Sequence, residues 1–157
     1  MLRVNCLPAC LALLLATTAG PALADIRILA VGPMTGPYQA LGKQIRAGVE
    51  TAVDALNAKG GINGERISVD IEDDACKPEA AVAAANRAVG RGDQLVVGHV
   101  CAEAAIAAAS VYADNRLLAI TPAVTANRYT DQRAGPTLFR LATRDDAQGP
   151  TAGAFLA

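Results

Sequence analysis

Asp25-Ile26-Arg27-Ile28-Leu29-Ala30-Val31 is followed at once by Gly32-Pro33-Met34-Thr35-Gly36-Pro37, and then by a mixed polar and apolar stretch from Tyr38 to Lys59. This passage decides the fold. Ile26–Val31 is a short apolar run of strand length. The Gly/Pro cluster breaks it. Beyond the break, Leu41, Ile45, Val49, Ala52, Val53 and Leu56 recur at helical spacing on one face, which predicts a helix over 38–59. Lys59 in the last turn and Gly60-Gly61 after it supply the stop. Asn63-Gly64 marks a turn, and Arg66–Glu72 then alternates with Ile67, Val69 and Ile71 on one face. That alternation predicts a strand with one more exposed face, near the edge of a sheet.

The same rhythm continues along the chain. Pro78, at a favoured early helical position, opens an alanine-rich helix running to about Arg91. Gln94–Val97 reads as a short buried strand, Ala102–Asn115 as a third helix, and Leu117–Ile120 as a fourth strand stopped by Thr121-Pro122. Leu138–Leu141 reads as a fifth strand, and Pro150–Ala157 as the start of another helix. Strands alternating with helices predict an α/β fold, a doubly wound parallel sheet with helices on both faces. Ligands of such sheets sit beyond the carboxyl ends of the strands, near a switch in strand order. The loops there are 32–38, 72–77, 98–102 and 121–128, and function is sought in these four.

Composition narrows the classes. The 157 residues allow one domain of ordinary size. Lys+Arg number 14 against 15 Asp+Glu, a balance that argues against a nucleic-acid partner, whose recognition needs clustered cations. With 52% apolar and only 18% charged residues, the chain is not a disordered one. Three Tyr, two Phe and no Trp offer little for stacking on bases or sugars.

Residues 1–24 read as an address. Arg3 supplies a positive start, Cys6–Ala16 an uncharged apolar run, and Ala22-Leu23-Ala24 a small-x-small cleavage pattern. That is the layout of a secretory signal peptide. The run is too short for a spanning helix, which needs about 20 apolar residues, so the chain is expected not to span a membrane. Leu7-Pro8-Ala9-Cys10 loosely resembles a lipoprotein signal, but Cys10 precedes the main apolar run instead of following it. Cleavage leaves Cys76 and Cys101. In an oxidising compartment an even pair is most simply a disulfide. A metal reading through His99 and Cys101 lacks a fourth ligand at suitable spacing.

The loops lack the motifs of other chemistries. Gly32-Pro33-Met34-Thr35-Gly36 is not a dinucleotide fingerprint, and its proline removes an N–H from any phosphate cradle. Gly36–Gly42 is one residue too long for a P-loop, and Gln44 stands where the magnesium-binding hydroxyl belongs. No G-x-S-x-G elbow is present. Asp73-Asp74 is a formal acid/base candidate, but a charged pair after a strand is more simply a solvated loop or a helix cap. His99, at the end of a buried strand, reads as structural, not catalytic. The expectation is a non-enzyme that needs no cofactor and no metal.

Six stretches carry a resemblance. They are Val31-Gly32-Pro33-Met34-Thr35-Gly36-Pro37, Ala58-Lys59-Gly60-Gly61-Ile62-Asn63-Gly64, Asp73-Asp74-Ala75-Cys76, Val97-Gly98-His99-Val100-Cys101, Ile120-Thr121-Pro122-Ala123-Val124-Thr125-Ala126 and Asp146-Ala147-Gln148-Gly149-Pro150-Thr151-Ala152. In their order and spacing the chain resembles the periplasmic leucine/isoleucine/valine-binding proteins of bacterial ABC importers, and the two cysteines fit that family's disulfide. The resemblance implies a two-lobed protein closing around an amino acid and docking on membrane permease subunits. It places residues 25–137 in a partial first lobe, a hinge crossing near Leu138–Thr143, and 138–157 at the start of the second lobe. It implies that Thr125 binds the ligand carboxylate through hydroxyl and N–H, and that the Ala123 carbonyl accepts from the ammonium. Ala102 offers a helix N-terminal N–H to the carboxylate where the family often has serine, and Leu41 lines the side-chain pocket where some members carry an aromatic ring. The acidic partner for the ammonium and the second-lobe aromatics would fall beyond Ala157, so a truncated chain with half a site is expected. The alternatives are a sensor or receptor domain of the same fold and a non-binding remnant.

Overall fold

A computed structural model describes residues 25–156. The signal segment expected at 1–24 lies outside the described residues. The chain forms β1 (Ile26–Gly32), α1 (Gln39–Ala58), β2 (Ile67–Asp73), α2 (Pro78–Arg91), β3 (Leu95–Val97), α3 (Ala102–Asp114), β4 (Leu118–Thr121), α4 (Arg128–Asp131), β5 (Leu138–Arg140) and α5 (Asp145–Leu156). The five strands make one parallel sheet in the order β2-β1-β3-β4-β5. The doubly wound expectation holds. The order reverses between β1 and β3, so the switch point lies between the loops that follow these two strands.

β1 shows why both faces are covered. Successive side chains of a strand point to opposite faces. Leu29 and Val31 enter one core with α2 and α3, while Ile28 and Ala30 enter the other with Val49 and Val53 of α1. On the first face the helices are lined with alanine. Ala81, Ala84, Ala85 and Ala88 of α2 and Ala104, Ala105, Ala108 and Ala109 of α3 are all buried. Side chains this small let two helices and a sheet approach closely, and dense packing then supplies dispersion contacts that each methyl alone would not.

On the second face, the helical face expected from Leu41 to Leu56 does point at the sheet. Val49 and Val53 are buried there. Leu41 and Leu56 remain about 40% exposed. They border an open apolar groove of about 820 Å³ that runs between α1 and the flank of β3.

β2 is the edge strand that its alternation predicts, pairing only with β1 among the described residues. Its outward residues are charged and paired. Glu72 is bridged by Arg87 and Arg91, and Asp70 by Arg27 and Arg91. The Arg87 hydrogen bond, against the cost of burial and aided by Arg91, holds the Glu72 carboxyl below its ordinary range. Charges of this kind also guard a sheet edge against pairing with another chain.

Two elements differ from expectation. α4, a four-residue helix absent from the sequence reading, begins at Arg128, the last residue of the loop expected at 121–128. α5 starts at Asp145, five residues before Pro150, so the proline sits inside the helix and not at its opening. Asp145 and Asp146 in the first turn suit the positive end of the helix dipole and explain the earlier start.

Candidate functional site

The site is built from the four loops at the carboxyl end of the sheet. The β1–α1 loop is pressed down onto α1 at Gly42, where an added Cβ would collide with the Pro33 carbonyl. The same loop is tied to its neighbour by Asp73, whose carboxylate accepts the Met34 N–H at 2.8 Å and the Thr35 hydroxyl at 2.5 Å.

Asp73 and Asp74 are not a solvated pair, nor does either side chain cap α2, whose N-cap is Lys77. Each bonds the N–H two residues ahead, Asp73 to Ala75 and Asp74 to Cys76, both at 2.8 Å. Those bonds hold Ala75 and Cys76 in a left-handed backbone, at φ 45° and 58°. Burial works to raise the Asp73 carboxyl, but the Thr35 hydroxyl and the backbone N–H donors hold it below its ordinary value.

Asp74 is fully buried, and its second oxygen lies 2.6 Å from Nδ1 of His99. Nε2 of His99 lies 3.0 Å from the Tyr112 hydroxyl on α3. Burial pushes the Tyr112 phenol far up, so it keeps its proton. Both ring nitrogens are therefore committed, and the structural reading of His99 stands. The chain can pass so close here because Gly98, at φ +149°, has no Cβ to strike the Val31 backbone.

Cys76 and Cys101 form the expected disulfide, with Cα atoms 5.4 Å apart. It joins the β2–α2 loop to the start of α3. Cys101 is thus unavailable to a metal, and among the described residues no three ligating side chains gather.

The four expected ligand residues fall as follows. Ala102 is the first residue of α3, half-buried, directly after the disulfide. The first N–H groups of a helix have no acceptor within it and favour an anion. Thr125 lies in the adjacent β4–α4 loop, half-buried. Its carbonyl accepts from Arg140 at 3.0 Å and from the Asp145 N–H at 3.1 Å, which leaves its hydroxyl and N–H for other partners. Ala123 is exposed in the same loop, and Leu41 is exposed in the first turn of α1. Leu41 and Ala123 line the same groove, with Val100 and Pro122 between their elements. Leu41 thus borders the groove and is not among the buried residues of α1.

Sequence reasoning missed the cations that shape the β4–α4 loop. Arg140 also reaches the Ala126 carbonyl and the Thr130 hydroxyl, Arg144 pairs with Asp131 and Asp146, and Arg128 pairs with Glu103 across the α3 N-terminus at 3.0 Å. Isolated arginines carry no sequence signal for such roles.

With this geometry in place, comparison with known proteins is informative. The sequence profile of the family described as "Periplasmic binding protein" matches residues 25–157. The chain is 43% identical over 132 residues to the leucine-, isoleucine-, valine-, threonine- and alanine-binding protein of Pseudomonas aeruginosa, covering 84% of this chain and 35% of that protein. It is 42% identical to the Leu/Ile/Val-binding protein of Escherichia coli (strain K12), covering 84% and 36%. The fold superposes on an ABC transporter substrate-binding protein of Desulfitobacterium hafniense, solved in complex with Leu, with a TM-score of 0.73 at 28% identity, covering 85% of this chain and 38% of that one. The chain thus spans a little over a third of the length of these relatives. A profile match over residues 25–157, with relatives above 40% identity and a shared parallel sheet, shows that the chain belongs to the periplasmic binding protein family.

Proposed function

We propose that the protein is the extracytoplasmic solute-binding component of an ABC importer, taking branched-chain or related small amino acids. The observation that carries this reading is the meeting, at the ends of adjacent strands β3 and β4, of a helix N-terminus at Ala102 with the 123–125 loop. A free amino acid offers a carboxylate, an ammonium and a side chain. Ala102 N–H and the Thr125 hydroxyl and N–H suit the carboxylate. The Ala123 carbonyl suits the ammonium, and Leu41 gives the side chain an apolar wall. Residues 1–24 direct export to the periplasm. Residues 138–157 cross the hinge and begin a second lobe, in keeping with an α5 that buries none of its described residues against this sheet. Ligand binding closes the lobes, and the closed form docks on the permease. No catalysis and no cofactor enter the cycle.

Two measurements test the reading. A thermal-shift panel of leucine, isoleucine, valine, threonine and alanine on the secreted protein, as its cells make it, is expected to show stabilisation by at least one amino acid, since a ligand that binds only the folded state raises its stability. No shift with any of them overturns the proposal. Residues 25–157 alone supply one wall of the cleft, whereas tight pockets bury 70–90% of a ligand. Calorimetry on that piece is expected to show weak binding or none, and a micromolar constant would show that one lobe suffices.

A further inference from the structure

Under the site lies a buried chain of hydrogen bonds that touches three of its four loops. Asp74 belongs to the β2–α2 loop and bonds the His99 ring. His99 belongs to the β3–α3 loop, and its ring also meets Tyr112, eleven residues along the helix that Cys101 and Ala102 begin. The His99 carbonyl accepts the Thr121 hydroxyl at 2.6 Å. The same Thr121 oxygen accepts the Val124 N–H at 3.2 Å. Val124 is buried and directly precedes Thr125. Asp74, His99 and Thr121 are each no more than 1% exposed.

We propose that Asp74, His99 and Thr121 are positioning residues that hold the α3 N-terminus and the 123–125 loop at the spacing a ligand carboxylate requires, an inference that rests on the amino-acid-binding reading above. None of the three touches the ligand. Thr121 is the joint. Its hydroxyl donates to one loop and accepts from the other, so it sets the distance between Ala102 and Thr125. In a dry interior every member of such a network must be satisfied, and losing one partner leaves the others to rearrange. A site held to a few tenths of an ångström by locked neighbours loses affinity when that support loosens.

The test compares Thr121→Val, which keeps the shape and removes the hydroxyl, with Thr121→Ser, which keeps the hydroxyl, both in the secreted protein. Calorimetry with L-leucine is expected to show Thr121→Val weakening binding tenfold or more, with Thr121→Ser recovering most of it. His99→Gln, with melting temperature recorded beside affinity, is expected to weaken binding in the folded protein as well. Amide resonances of Ala102 and Thr125 without ligand are expected to move in Thr121→Val and return towards wild type in Thr121→Ser. A purely structural role predicts lower melting temperatures with unchanged leucine affinity, and that result overturns the proposal. An amino acid that the five-member panel shows to bind replaces leucine where leucine does not. Should the wild type bind none of the five, the binding reading fails, and the two amide resonances alone decide the positioning role: unmoved in Thr121→Val, they refute it.

Discussion

The carboxylate of Asp73, at the end of β2, accepts the backbone N–H of Met34, 39 residues earlier in the β1–α1 loop, at 2.8 Å. With the Thr35 hydroxyl and the Ala75 N–H on the same carboxylate, Asp73 ties the loop after the first strand to the loop after the second. All three donors favour the ionised form. The folded carboxyl therefore titrates below its unfolded value, and its stabilisation is complete above the ordinary aspartate value of about 4 and fades as pH falls through the lower folded value. Asp73→Asn is expected to cost about 1 kcal/mol at neutral pH. The gap between the two melting curves is expected to shrink as pH drops below about 4. Melting temperatures recorded down the pH scale check this, and a gap independent of pH would refute it.

Gly42 and Gly48 lie on the same helix and predict opposite outcomes on substitution. Alanine is favoured over glycine inside a helix by about 1 kcal/mol. At Gly48 an added Cβ meets nothing within 4 Å, so Gly48→Ala is expected to stabilise by about that amount. At Gly42 the Cβ would overlap the Pro33 carbonyl, which is backbone and cannot swing aside. Gly42→Ala is therefore expected to destabilise by ~1–3 kcal/mol despite its better propensity. Urea unfolding of both variants separates the two effects.

The Cys76–Cys101 bridge spans a sequence separation of 25 residues. Closing a loop of that size removes unfolded-state entropy worth about 3.5 kcal/mol in the chain-entropy model. The Asp74–His99 bond runs alongside the bridge, two residues before each cysteine, so the loops stay connected when it is cut. Cys76→Ser with Cys101→Ser is expected to lower the melting temperature by roughly 10 °C while leaving a cooperative transition. Intact mass before and after reduction confirms which state is melted. Loss of cooperativity would show that the hydrogen bonds cannot hold the loops alone.

Local pattern made the framework legible, and contacts between distant residues did not. The alternation of Ile67, Val69 and Ile71 identified β2 as a strand and placed it near an edge, because a half-exposed strand must alternate. Pro78 marked the start of α2 to the residue. Pro150 misled for the same reason: proline is usually an opening residue, and the acidic pair Asp145-Asp146 was the stronger signal. α4, at four residues, is too short to show a period. In the sequence Asp73-Asp74 reads as a solvated loop or a helix cap, because Asp74's partner His99 lies 25 residues away and its burial depends on how α2 and α3 close over it. The disulfide was legible through the compartment that the first residues implied and through the resemblance. The positions proposed for the ligand, Ala102, Ala123 and Thr125, are small residues at loop and helix ends that carry no local pattern, and only the resemblance pointed to them.

Ala102 gives the most direct experiment on the ligand itself. It is the first residue of α3, and its methyl contributes nothing to an anion. The N–H and the helix dipole remain. A serine at this position would add one hydroxyl donor to a group that is charged in the ligand, and hydrogen bonds to charged groups contribute about 1.5–3 kcal/mol. Part of that is lost to competition with water. Ala102→Ser is thus expected to tighten amino-acid binding by roughly ten-fold, about 1.4 kcal/mol. Its effect on melting without ligand is expected to be small, because Ala102 is half-buried and serine is well accepted near the start of a helix. Calorimetry with leucine on the secreted protein and its Ala102→Ser variant measures the difference. Equal affinities would place the carboxylate away from α3, and would move the search to the loops after β1 and β2.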